Sequence, residues 1–300
     1  MKTFSVEFYK RLILVLLALL ILIPTVCAVV FGIQNSALRR QLAAGGTFSP
    51  APAGPGGSKS PLDMVAAPID YQLLYPELYG PEEIAAERLY EEGTVYLTFN
   101  STPGENTGRI LDILDDYGIK ATFFLSGTAD SASPEQMKEI VNRGHSVGLN
   151  GSSDSYQQIY GSVEDYLADF KAIYDFVYET TGVRAEIFRY PGGSINAYNS
   201  GFYQELNAEM LRRNFVFFDW DVSGEDTLMG GASAEWIENS VVAGMEGKDR
   251  GIVLLRDTVG KENVADALPG IISRLQEQEY EFKALTADVI PVVYSYKGAP

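Results

Sequence analysis

Thr94-Val95-Tyr96-Leu97-Thr98-Phe99, followed directly by Asn100-Ser101-Thr102-Pro103, is the stretch from which the fold can be read. Its β-branched and aromatic side chains show no polar face, the mark of a buried strand. Asn106–Tyr117 reads as a helix, with Ile110, Leu111 and Leu114 on one face and Gly118 as its stop. The alternation then repeats. Lys120–Leu125, His145–Leu149, Glu186–Phe188, Phe215–Trp220, Gly251–Leu255 and Glu281–Leu285 read as short strands. Between them lie a helix opened by Ser133-Pro134, the amphipathic Ser162–Thr181, and helices near Tyr203–Arg213, Ser233–Gly244 and Val264–Gln278. Seven short apolar strands separated by helices predict an α/β protein built on a parallel sheet covered by helices. If the sheet closes into a barrel, a ligand site belongs at the C-terminal ends of its strands.

Composition narrows the function classes. The chain has 300 residues, 46% hydrophobic and 21% charged, an ordinary globular balance. Its net charge of -17, from 40 acidic and 23 basic residues, repels phosphate backbones and argues against nucleic acid as a partner. A single cysteine, Cys27, excludes an intramolecular disulfide and a multi-cysteine zinc site, and a single histidine, His145, excludes a site built on several imidazoles. His145 falls at the start of a strand, away from the expected site mouth, and reads as a structural imidazole.

Upstream, Leu12–Gly32 is almost continuously apolar and long enough to span a bilayer as one helix. Val26-Cys27-Ala28 could serve as a signal-peptide cleavage site, but the apolar run continues past it, which favours an uncleaved anchor. Lys2, Lys10 and Arg11 before the span slightly favour a cytoplasmic N-terminus and an extracytoplasmic folded part. Residues 1–11 are then a short cytoplasmic tail, 12–32 a transmembrane helix, 33–63 a Gly/Pro/Ser/Ala tether, 64–93 a lead-in, and 94–297 the folded domain.

The strand ends carry the chemistry. They read Asn100-Ser101-Thr102-Pro103; Asn150 with Asp154 four residues on; Arg189-Tyr190-Pro191-Gly192-Gly193; Trp220 with Asp226 beyond; and Leu254-Leu255-Arg256-Asp257. In this order the segments resemble the motifs of the polysaccharide deacetylase family, the NodB homology domain, over about Thr94 to Val293. The resemblance implies a distorted (β/α) barrel of about seven strands. It also implies removal of acetyl groups from N-acetylated sugars of cell-wall and related polymers, with a divalent metal, often zinc, held by one Asp and two His. The family's first motif is Thr-Phe-Asp-Asp-Gly-Pro, whose first Asp is the base and second a metal ligand; this chain has Asn100 and Ser101 there. The two metal-binding His positions read Asn150 and Asp154, and the general-acid His position reads Arg256. The motif arginine is kept as Arg189, with Pro191 and Gly193, and the Asp that holds it aligns with Asp226.

By the resemblance, then, the framework is present and the chemistry is not. The amide of Asn100 cannot take a proton from water near neutral pH. Ser101 and Asn150 are weak neutral ligands and only Asp154 is anionic, too little for tight zinc binding, so no cofactor is expected. Arg256 stays protonated and cannot cycle a proton. Arg256 is expected to replace the missing cation and to pair with Asp154. Tyr190, Pro191, Gly192 and Trp220 are the candidate sugar contacts, with core packing the competing reading for Tyr190 and the favoured one for Trp220. The expected function is a membrane-anchored, catalytically inactive deacetylase-like protein binding cell-wall glycan or an envelope protein. The alternatives are an active deacetylase or hydrolase with an altered metal site, and a structural or assembly protein of the envelope.

Overall fold

The computed structural model describes residues 69–224 and 232–295. The predicted membrane span, the tether and Asp226 lie outside the described residues; among those described, no helix is long and apolar enough to cross a membrane.

Among the described residues eight strands form one sheet: β1 (Thr94–Ser101), β2 (Thr122–Ser126), β3 (Ser146–Gly151), β4 (Ile187–Phe188), β5 (Val216–Phe217), β6 (Val222–Ser223), β7 (Arg250–Asp257) and β8 (Glu281–Phe282). Every pairing is parallel. Seven strands lie in the order β5-β4-β3-β2-β1-β7-β6, and β8 pairs with the start of β1. The helices are α1 (Glu105–Asp116), α2 (Pro134–Asn142), the single turn α3 (Tyr156–Ile159), α4 (Val163–Thr181), α5 (Tyr203–Arg212), α6 (Ala234–Met245) and α7 (Glu262–Glu277). Ser133, Ser162 and Ser233 cap α2, α4 and α6 by accepting a backbone N–H, and Gly182 (φ 74°) closes α4 in the left-handed region.

Strand order forces the sheet to curl. Its two edges are β5 and β6, yet the chain passes from Phe217 to Val222 in five residue steps. Five steps reach at most about 18 Å. The edges of a flat row of seven strands would be about 29 Å apart at ~4.8 Å per strand. The sheet is therefore bent into a half-barrel whose edges approach each other. The final segment packs at this junction, where Asp219 N donates to Val292 O at 2.8 Å.

The period-two alternation of the strands then sorts side chains between two cores. Val95, Leu97 and Phe99 of β1 join the large core beneath the helices. Tyr96, Phe124, Ile187, Val216, Phe218 and Ile252 face the concave side, in a second, smaller cluster. Continuing that inner register upward brings Asn100, Ser126, Asn150, Arg189 and Arg256 to the C-terminal mouth. Gly148 belongs to this face too: a Cβ there would stand 2.5 Å from the Phe124 ring, so only glycine leaves the ring its place.

The lead-in is part of the fold. A 3-10 turn at Asp70–Leu73 buries Tyr71, Leu78 is buried beside it, and Leu89 bridges to Val289. The core thus begins at least as early as Tyr71, well before the boundary at Thr94 expected from the sequence.

Candidate functional site

The inner-face residues meet at a cavity of about 300 Å³ at the C-terminal ends of β1, β2, β3 and β7. It is lined by Asn100, Thr102, Ser126, Asn150, Ser153, Asp154, Tyr156, Pro191, Arg256 and Thr258. Its floor is organised by Arg189, whose side chain is 0% exposed. Arg189 follows β4, which turns its guanidinium inward over the Phe124 ring (4.2 Å to the centroid) and beside Trp220 (5.5 Å). Its Nε donates to Phe218 O at 2.9 Å, Nη2 to Asp219 O at 3.4 Å, and Nη1 to Asn100 Oδ1 at 3.1 Å. Burial lowers the pKa of Arg189 to about 9, while the carboxylate of Asp219 acts in the opposite direction, so the group stays cationic at neutral pH.

Asp226, expected from the resemblance to hold this arginine, lies outside the described residues. The described carboxylate acting on Arg189 is Asp219, which the sequence reading did not single out. Burial raises the pKa of Asp219, against hydrogen bonds from Ser194 N (2.8 Å), the Ser194 hydroxyl and Tyr294 N (2.7 Å), and against Arg189. Asp219 therefore ties the loop after β4 and the C-terminal segment to the floor of the site.

Asn100 and Asn150 are already engaged. Asn100 Oδ1 accepts from Arg189. Asn150 donates its Nδ2 to Arg189 O at 2.8 Å and accepts from Ser126 Oγ at 3.2 Å. Ser101 is not on the cavity. One register position beyond Asn100, it faces the outer layer and donates its hydroxyl to Asp257 Oδ2 at 2.7 Å. Its assignment to the degenerate ligand set is corrected here: alternation along a regular β1 aims it at α1 rather than at the mouth. Asp257, to which the sequence reading gave no role, also accepts from Thr107 Oγ1 (2.6 Å) and Asn106 Nδ2 (3.4 Å). Burial raises its pKa against those bonds.

Asp154 is exposed at the cavity rim. Its loop is held from below by Asp169, which accepts from Ser152 N (3.1 Å) and Ser153 N (2.9 Å). Arg256 stands beside Asn100 in register and lines the same cavity. Among the described residues no ion pair joins Arg256 to Asp154; Arg256 is not without a partner, and Asp154 stays at the rim. The two groups rise from non-adjacent strands, β7 and β3, with β1 and β2 between them.

The other expected sugar contacts divide. Tyr190 is 1% exposed and packs among Tyr166, Phe188 and Phe217, so its assignment as a sugar contact is withdrawn: alternation after Arg189 turns its ring into the core. Pro191 lines the cavity, its carbonyl fixed by Tyr160 OH at 2.7 Å, and Gly192 is exposed. Trp220 is half-buried, edge-on to Tyr294 at 5.3 Å, supporting Arg189. His145 sits at the opposite end of β3. Its Nδ1 accepts Ala121 N–H at 3.2 Å, its ring packs edge-on to Phe123, and burial lowers its pKa to about 4.

Could this mouth hold a divalent metal? Of the three expected ligand positions, Ser101 faces elsewhere, the oxygen of Asn150 already accepts a hydrogen bond, and Asp154 offers one carboxylate. Among the described residues no group of three or more His, Cys, Asp or Glu is placed to hold an ion. The donor set does not fit a zinc-type centre, which calls for three protein ligands of imidazole or carboxylate type.

A curled parallel half-barrel with a cavity at its C-terminal strand ends, a buried arginine beneath and a Pro-Gly-Gly loop beside it defines an α/β class whose ligand site lies at the strand ends. Comparison with known proteins identifies it: residues 88–211 match the family model described as polysaccharide deacetylase. The catalytic domain of peptidoglycan N-acetylglucosamine deacetylase from Eubacterium rectale superposes with a TM-score of 0.67 at 30% identity, covering 71% of this chain and 98% of that one. A polysaccharide deacetylase from Bacillus cereus gives a TM-score of 0.60 at 25% identity, covering 69% and 98%. A peptidoglycan-N-acetylglucosamine deacetylase of Bacillus cereus is 29% identical over 198 residues, 65% of this chain and 70% of that protein. The chain belongs to the polysaccharide deacetylase family.

Proposed function

We propose that this chain is a catalytically silent member of the family, anchored in the cell membrane by Leu12–Gly32, whose folded part binds cell-wall glycan outside the cell without deacetylating it. One observation carries the reading. Of the positions at which the family places a base, a metal ligand or an acid, only Asp154 keeps a group able to do that work, one carboxylate falls short of the three ligands an ion needs, and Asn100, Ser101 and Asn150 are already committed to hydrogen bonds. What remains in the cavity are neutral amides and hydroxyls around one guanidinium, Arg256, with the Asp154 carboxylate at the rim. That is the chemistry of sugar recognition: many weak donors and acceptors placed for hydroxyl and acetamido groups. Related peptidoglycan N-acetylglucosamine deacetylases supply the ligand class.

The test is acetate release beside binding. Full-length protein is incubated with N-acetylglucosamine oligomers, with zinc or cobalt or with chelator, and titrated with the same oligomers by calorimetry. Saturable binding with no acetate release in any arm is expected. Metal-dependent release abolished by Asp154→Ala would overturn the reading in favour of an active deacetylase. A flat titration against every oligomer would leave an envelope protein as the partner.

A further inference from the structure

A sugar chain does not end at the cavity. Its roughly 300 Å³ lies at the lower end of the ~300–1,000 Å³ of small-molecule sites, so further residues of a bound glycan must run over the rim. One side of that rim is aromatic. Tyr156, which lines the cavity, and Tyr198 on the loop after β4 are 37% and 48% exposed, with ring centroids 5.5 Å apart and planes at 85°.

Both rings are fixed from beneath. Tyr156 packs edge-on to the buried Tyr160 at 6.2 Å. It also lies over Gly192 (φ 78°), where a Cβ would meet the ring at 3.1 Å; the bare glycine is what lets the ring settle onto the loop. Tyr198 sits in a turn held by two asparagines. Asn196 Oδ1 accepts Tyr198 N–H at 2.9 Å, Asn196 Nδ2 reaches Gly193 O at 3.1 Å, and Asn199 Nδ2 reaches Ser194 O at 3.2 Å. The pair is a preformed right-angled corner of two exposed rings, and a ligand that uses it loses little freedom in ordering it.

We propose that Tyr156 and Tyr198 form an accessory sugar subsite that receives a second or third pyranose ring of an oligosaccharide whose first ring occupies the cavity. The C–H-rich face of a pyranose presents weakly positive hydrogens to the negative face of an aromatic ring, and a rigid tyrosine buries much area with few rotatable bonds. The inference rests on the glycan-binding reading above and adds the place and length dependence of binding.

The experiment compares full-length wild type, Tyr198→Ala, Tyr198→Phe and Tyr156→Ala against N-acetylglucosamine dimer, trimer and tetramer by calorimetry, with thermal midpoints to check folding. In wild type, affinity rises with length. Tyr198→Ala weakens tetramer binding about tenfold and flattens the rise of affinity with length. Tyr198→Phe, which keeps the ring, stays within about twofold of wild type at every length. If wild type binds the tetramer and Tyr198→Ala and Tyr156→Ala bind it equally well, the subsite is refuted and the cavity reading stands. If wild type binds no oligomer, the glycan reading fails and the subsite with it.

Discussion

Each end of the parallel sheet buries one arginine completely, and the two are used differently. At the N-terminal end, just before β5, Arg213 spends all five of its N–H groups. Nε donates to Glu209 at 2.6 Å, Nη1 to Tyr75 O and Leu78 O, and Nη2 to Tyr71 O and Leu74 O. At the C-terminal end, Arg189 bonds two backbone carbonyls and the amide of Asn100 and otherwise lies against the aromatic rings of Phe124 and Trp220. The first is saturated by the chain's own carbonyls and by a carboxylate. The second supports a floor of neutral groups open to a cavity. A buried charge at the lower end therefore fastens the fold, and one at the upper end shapes a site, as expected where ligand sites occupy the C-terminal ends of barrel strands.

The largest effect that would sharpen this contrast is at Arg213. Replacing it with Met removes the donors of four lead-in carbonyls and one partner of the buried Glu209 carboxylate. Glu209 then keeps Arg212, which donates at 2.8 Å. Breaking a buried pair of this kind costs about 3–5 kcal/mol, so Arg213→Met should lower the urea midpoint steeply and expose residues 69–80 to protease. Loss below about 1 kcal/mol would show that the lead-in is held by its apolar contacts instead.

The lower end also holds the single histidine, and it predicts a pH effect. Its pKa is lowered from 6.5 to about 4, first by burial and then by nearby Lys120 and Arg143, against Asp115. Between pH 6.5 and 4 the unfolded chain binds a proton at this residue that the folded chain does not. Stability from the neutral imidazole is then complete above pH 6.5 and declines as pH falls toward 4, by about 3 kcal/mol in all. Asp219 and Asp257 work in the opposite sense, since burial raises their pKa and favours the folded state on acidification. Urea titrations of wild type and His145→Gln across this range isolate the term. Gln can still accept the Ala121 amide, and its curve should lack the histidine slope. Identical slopes would show that His145 is protonated without cost.

How far the sequence carried this contrast differs between the two ends. The helix starts at Ser162 and Ser233 fell one residue early, on the caps themselves, and the helix cap at Ser133 was legible, because capping is local chemistry. So were seven strands, because short apolar runs between helices are a local pattern. β6 was not: Val222–Ser223 is two residues long and is a strand only through pairing with β7. The roles of Arg213 and Asp257 could not be read either, since the carbonyls that Arg213 binds and the hydroxyls that bind Asp257 lie some 135 to 156 residues away in the chain. At the mouth, motif order located Asn100, Asn150, Asp154 and Arg256 on one cavity. It misplaced Ser101 and Tyr190, whose facing depends on strand alternation running unbroken through the motif.

The smallest expected effect tests whether the upper guanidinium acts as a charge. Asn100→Ala leaves Arg189 Nη1 without its side-chain acceptor in a buried setting, which should cost about 1–3 kcal/mol. Asn100→Asp keeps the acceptor and sets a carboxylate against the cation, so at pH 7 it should lie within about 1 kcal/mol of wild type. The sign with pH follows from the partner. Arg189 lowers the pKa of the new carboxylate, so its stabilisation is present above the ordinary Asp range and is lost as pH falls through the depressed value. Urea midpoints of the two variants at pH 7 and pH 4 decide the matter. Should Asn100→Asp be the less stable of the two at pH 7, the desolvation of a second charge outweighs its attraction to Arg189. The neutral amide would then be the form this floor requires.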